Sequence, residues 1–99
     1  MPLAIRWSPY TKDAVSREDD YFGVYEIGND FDILYIGEGQ VRSRLLRHFP
    51  QGPEPVVGSS YYRVEYTGSK ERGIQRQNAE LDAYYRKFGR YPGFNTRKG

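Results

Sequence analysis

Two tyrosines, an arginine–histidine pair and one late glutamate carry the chemistry in this 99-residue chain. Tyr25 and Tyr35 sit in short runs rich in Val, Ile, Tyr and Phe, residues 22–27 and 32–37, which flank Gly28-Asn29-Asp30. That pattern predicts a β-hairpin. Pairing Ile27 with Ile33 sets Tyr25 opposite Tyr35 on one face. Gly37 and Gly39 then break the extended pattern, and a basic amphipathic stretch begins at residues 41–49. A helix there places Arg44 and His48 at i and i+4 on one face, with Arg42 and Arg47 close by. Two phenols aimed at such a helix make a phosphate-processing surface.

A phosphodiester is fully charged, so attack on it needs charge neutralisation more than covalent help. The planar fork of an arginine suits the non-bridging oxygens. A histidine, with a reference pKa near 6.5, is a ready base, whereas a phenol near 10 needs neighbouring cations to become one. A hard divalent cation on a single carboxylate stabilises the departing oxyanion while keeping several waters. Blander readings stand beside these. Tyr25 and Tyr35 would otherwise be a cross-strand pair giving about 0.2–1 kcal/mol. Glu80, four residues after Arg76, would otherwise form an exposed ion pair of a few tenths of a kcal/mol. Gly23, Gly37 and Gly39 weigh against the first, because glycine weakens a strand unless close approach or special φ/ψ is needed.

Gly23-Val24-Tyr25, Tyr35-Ile36-Gly37 and the Arg-rich stretch after them resemble the GIY-YIG nuclease family, named for the two tripeptides. Its members carry an Arg on the helix after the second tripeptide, a metal-binding Glu on a later helix and often an Asn downstream. Arg44, Glu80 and Asn95 stand here in that order, and the resemblance spans residues 21–95. It implies metal-dependent cleavage of DNA to 5′-phosphate and 3′-hydroxyl ends, with RNA as a second substrate class. One Mg²⁺ or Mn²⁺ would sit on Glu80, and Arg44 would hold the phosphate, with Gly37 and Arg42 beside the substrate. Tyr25 would be the general base and Tyr35 would position the water, with His48 as alternative base or relay. Asn95 would orient Glu80 or a metal-bound water.

Two departures stand out. Glu38 occupies a position where many members have Lys, and the spacing to the key Arg looks about one residue short, leaving Arg42 as the alternative to Arg44. Relatives commonly take specificity from an attached domain, so a single domain implies a homodimer or a separate specificity-conferring partner. A catalytically silent module that binds nucleic acid or protein is the competing reading, favoured by Glu38 and the acidic first third.

The positioning elements follow from periodicity and turn residues. Residues 1–20 read as a flank packing Trp7 into the core, and residues 21–99 as the nuclease-like domain. The Pro- and Gly-rich stretch 50–60 is a loop. Tyr61–Tyr66 alternates and reads as a third, half-buried strand. Ser69 is an N-cap for a helix over Lys70–Phe88 with an apolar stripe of Ile74, Leu81, Tyr84, Tyr85 and Phe88. Gly89 and Pro92-Gly93 end it. The expected class is α+β: a small, mainly antiparallel three-stranded sheet flanked by helices.

Composition narrows the setting. The hydrophobic fraction is only 37%, but ten Tyr and five Phe supply large buried area. With no cysteine there are no disulfides, thiolate zinc sites or cysteine nucleophiles. Residues 1–34 carry a net −4 and residues 35–99 a net +6, and no acid follows Asp82 while Arg86, Lys87, Arg90, Arg97 and Lys98 do. Such asymmetry is what a polyanion-binding face leaves, or the ordinary cationic end of a helix. No apolar run is long enough to span a membrane, and residues 1–5 are too short for a secretory segment. A cytoplasmic location is expected, at the nucleoid, or in the nucleus of a eukaryote.

Overall fold

The computed structural model describes residues 6–95, so residues 1–5 and the cations Arg97 and Lys98 lie outside the described residues. Its elements are β1 (Ser8–Pro9), α1 (Lys12–Ser16), β2 (Phe22–Gly28), β3 (Ile33–Gln40), α2 (Val41–Arg47), β4 (Tyr61–Tyr66) and α3 (Lys70–Phe88). The strands form one antiparallel sheet in the order β1-β4-β2-β3. The α+β class holds, with a two-residue edge strand added to the expected three. No helix among the described residues is long and apolar enough to cross a membrane.

β2 is central and buried along nearly its whole length, so successive residues serve opposite faces. Tyr25 and Ile27 enter a core with Val15 of α1, Val41 and Leu45 of α2, and Tyr62 and Val64 of β4. Val24 and Ile36 pack on the other face against Leu81 and Tyr84 of α3. The sheet therefore separates α1 and α2 from α3.

The hairpin register differs from the expected one. Asn29 Oδ1 accepts from the backbone N–H groups of Phe31 (2.9 Å) and Asp32 (3.0 Å), and Asn29 N–H donates to Asp32 O at 3.0 Å. This side-chain-closed loop spans 29–32 and brings an irregularity between Ile27 and Gly28, so Ile27 pairs with Tyr35 and Tyr25 with Gly37. Nor do the glycines end the strand. β3 continues through Gly37 and Gly39 to Gln40, because Gly39 takes φ +136° within it.

β4 and α3 match their expected bounds, with Ser69 Oγ accepting from Arg72 N–H at 3.2 Å and Gly89 closing the C-terminus at φ 73°. Of the expected apolar stripe of α3, Leu81 and Tyr84 are buried but Ile74, Tyr85 and Phe88 are exposed, and Gly73, Gln77 and Glu80 face the sheet in their stead. Polar residues are accommodated there because β2 and β4 present Glu26, Arg63 and Glu65 on that face. α2 ends at Arg47, with His48 as its C-cap. Trp7 is only half-buried, not core, and the Arg63 guanidinium lies 4.4 Å from its ring centre.

Candidate phosphate site

Tyr25 is fully buried and its Oη lies 2.8 Å from His48 Nε2. The opposite ring nitrogen, Nδ1, lies 2.8 Å from the carbonyl oxygen of Glu54. A carbonyl only accepts, so Nδ1 carries the proton and Nε2 offers its lone pair to the Tyr25 hydroxyl. The tautomer of neutral His48 is thereby set. Burial, reinforced by Arg44 and Arg47, holds the imidazole below its ordinary pKa against the pull of the Glu54 carbonyl. Burial pushes the Tyr25 phenol well above its usual range, and Tyr35 adds to this while Arg44 opposes it. In the free protein the proton stays on Tyr25, with a neutral imidazole placed to take it.

Tyr35 completes the cluster, its ring centre 4.7 Å from that of His48 and 6.1 Å from that of Tyr25. Gly37 makes this packing possible. A Cβ there would lie 2.5 Å from both Cζ and Oη of Tyr25 and 2.7 Å from Cε2 of Tyr35. Gly37 thus leaves room for the phenols.

Arg44 packs over Gly39, where a Cβ would meet its Cγ at 2.9 Å, and its Nη2 donates to Glu54 Oε1 at 3.1 Å. It lines a cleft of about 510 Å³ with Glu38, Gly39, Gln40, Ser43 and Lys70. Lys70 Nζ stands 3.3 Å from Glu38, so this acid has its own cation from α3. Asp20 shapes this end of α2 by accepting from Ser43 N–H and Oγ–H, both at 2.8 Å, and these bonds hold its carboxyl below the usual range. Arg42 points elsewhere, donating to the Glu18 carbonyl at 3.4 Å.

Glu80 does not join this cluster. It lies across the sheet, 4% exposed, with Oε2 accepting from Arg76 Nη1 at 3.2 Å. The anticipated Arg76–Glu80 pair is present but buried, and Arg76 also holds Glu65 through bonds of 2.9 and 3.1 Å. The neighbour of Glu80 on the sheet is Glu26, whose own partner is Arg63 at 2.7 Å. The Glu80 carboxylate is already paired with Arg76 and lies on the other side of β2 from Arg44 and the phenols, so a divalent cation held there would stand apart from them. Among the described residues no group of three or more His, Cys, Asp or Glu is placed to hold a metal.

Asn95 likewise does not reach Glu80. Its Oδ1 accepts from Ile36 N–H at 2.9 Å and its Nδ2 donates to Ile36 O at 3.0 Å, so it grips the backbone between Tyr35 and Gly37. Asn95→Ala removes both bonds. The expected result is faster hydrogen exchange at the Ile36 amide and a loss of about 1–2 kcal/mol. Unchanged protection of that amide would contradict the clamp.

The sequence reading did not single out Glu54, Lys70 or Glu26. Glu26 left a signal, an acid at a core-facing position of an otherwise apolar strand. Glu54 acts on His48 through its carbonyl, which any residue type supplies. No curated protein and no solved structure matches the chain. Residues 1–86 match a family described as a domain of unknown function, DUF7508, and the chain belongs to that family.

Proposed function

We propose that the chain is a GIY-YIG-like module that binds nucleic-acid phosphates in the cleft between Arg44 and Lys70. The observation that carries this reading is the cleft itself. It has an arginine fork and a lysine among its lining residues, with a hydroxyl (Ser43) and an amide (Gln40) beside them. Arg44 is held by the exposed Glu54, and Lys70, itself exposed, by the half-buried Glu38. Exposed pairs contribute 0 to about 1 kcal/mol, so a phosphate that accepts two charge-assisted hydrogen bonds displaces them readily. The basic half of the chain supplies the accompanying field.

A second reading, divalent-metal-dependent hydrolysis of DNA, is favoured by one specific observation: the Tyr25–His48 hydrogen bond with its fixed tautomer. A binding surface has no need of a buried phenol aimed at an imidazole lone pair. Against this reading stands the position of Glu80.

One set of measurements tests both. Arg44→Ala is expected to weaken DNA binding at least about tenfold at low salt and to lower the slope of log K against log salt by about one. An unchanged slope would remove Arg44 from the interface. Nicking of supercoiled plasmid with Mg²⁺ or Mn²⁺ decides between the readings. Binding without nicking supports the module, whereas metal-dependent nicking lost in His48→Ala establishes hydrolysis.

A further inference from the structure

Between the sheet and the C-terminal half of α3 lies a second concavity of about 460 Å³. Trp7, Phe31, Tyr84 and Phe88 line it with Glu26 and Glu80. Exposure falls from the mouth inward: Phe31 is 93% exposed and Phe88 50%, whereas Glu80 is 4% and Glu26 0%. The mouth is aromatic and the floor is a pair of carboxyl groups.

Two features of the floor point to a ligand. Glu26 Oε1 is held by Arg63, but Glu26 Oε2 is buried with no hydrogen-bond partner among the described residues. The Glu80 carboxylate beside it is another acceptor, so a proton shared by the pair removes the deficit in the free protein. A ligand presenting a donor to that oxygen does the same. Two cations, Arg63 and Arg76, face three carboxyl groups, Glu26, Glu65 and Glu80, so this cluster is neutral when the Glu26–Glu80 pair holds one proton.

We propose that this cavity takes a nucleobase whose edge places an exocyclic amine beside an unprotonated ring nitrogen, as adenine and cytosine do. The amine donates to a carboxylate oxygen while a carboxyl O–H donates to the ring nitrogen, and the ring stacks against the aromatic mouth. Uracil reverses the pattern, offering a ring N–H beside a carbonyl. Lys87 at the rim is available to a phosphate carried by the same nucleotide. The proposal stands apart from the Arg44 cleft, since the two share no lining residue.

The chain has one tryptophan, which lines the cavity, so its indole N–H gives a single nuclear magnetic resonance signal for this site. Titrating adenosine, cytidine and uridine monophosphates, then short single-stranded dA and dC oligonucleotides, is expected to shift it with adenine or cytosine and not with uridine. Two variants locate the contact. Ala83→Phe fills the cavity from α3, and Phe31→Ala removes the exposed ring at its mouth. Each is expected to weaken binding about tenfold or more. Shifts with free nucleotide and oligonucleotide, or with either alone, support the pocket and identify its source of base. No shift with any probe overturns the proposal, as do equal shifts with all three nucleotides or shifts that survive both variants. An intact Arg44-dependent affinity alongside any of these failures separates this inference from the phosphate cleft.

Discussion

Replacing Glu26 with Gln is expected to leave stability nearly unchanged at pH 4.5 and to raise it markedly at pH 8.5. Desolvation is the main cause that moves the Glu26 carboxyl from 4.5 up to about 7, with Arg63 opposing it and Glu80 adding to it. The folded state therefore holds a proton that the unfolded chain releases at lower pH. Stability from this group is complete below pH 4.5 and is lost as pH rises toward 7. At about 1.36 kcal/mol per pKa unit, the loss above pH 7 is on the order of 3 kcal/mol. Arg63, Arg76 and Glu80 keep their contacts in the variant, because a carboxamide accepts from Arg63 and donates to Glu80 without ionising. Thermal unfolding at the two pH values measures this. The variant should melt roughly 10–20 °C above the wild type at pH 8.5, given about 4–8 °C per kcal/mol for a domain of this size. Parallel pH profiles for the two proteins would show that Glu26 carries no shifted proton.

Gly37→Ala is the second large effect. One methyl group there would come within 2.5 Å of Tyr25 Cζ and Oη and 2.7 Å of Tyr35 Cε2. Tyr25 has no room to yield, being enclosed in the core and bonded to His48, while the partly buried Tyr35 ring lies tilted against the same imidazole. Overpacking of this kind typically costs about 1–3 kcal/mol, and parting Tyr25 from His48 leaves a buried hydroxyl unsatisfied for about 1–3 more. The expected loss is roughly 3–5 kcal/mol. A double-mutant cycle with Tyr25→Phe supplies the check. The two substitutions share the hydroxyl, so their combined cost should fall short of the sum by about 1 kcal/mol or more. Simple additivity would mean that the methyl group is absorbed without disturbing Tyr25.

These two residues also show what was legible before the fold was known. β4 and α3 could be bounded from residue type alone, because alternation, an N-cap serine and a C-terminal glycine are local signals. Convergence of Tyr25, Tyr35, Arg44 and His48 was legible from the hairpin followed by a basic helix. The register was not, because the Asn29 side chain extends the loop to 29–32 and shifts Tyr25 onto Gly37. The side of the sheet taken by Glu80 was hidden for a different reason. Helix periodicity identifies which residues share a face, but the polar array on β2 and β4 decides which face is buried. An apolar stripe was the natural guess for α3, and Glu26, Arg63 and Glu65 made a partly polar one the better fit.

The grip of Asn95 on Ile36 bears on self-association. β3 is the outer strand of the sheet, and an outer strand offers its free backbone groups as a template for another chain. Phe94 N–H occupies Leu34 O at 2.9 Å and the Asn95 amide occupies both backbone groups of Ile36. The chain has folded its own C-terminal segment along that border and spent the groups a second copy would need. Strand-to-strand annealing along residues 34–36 is thereby blocked from within.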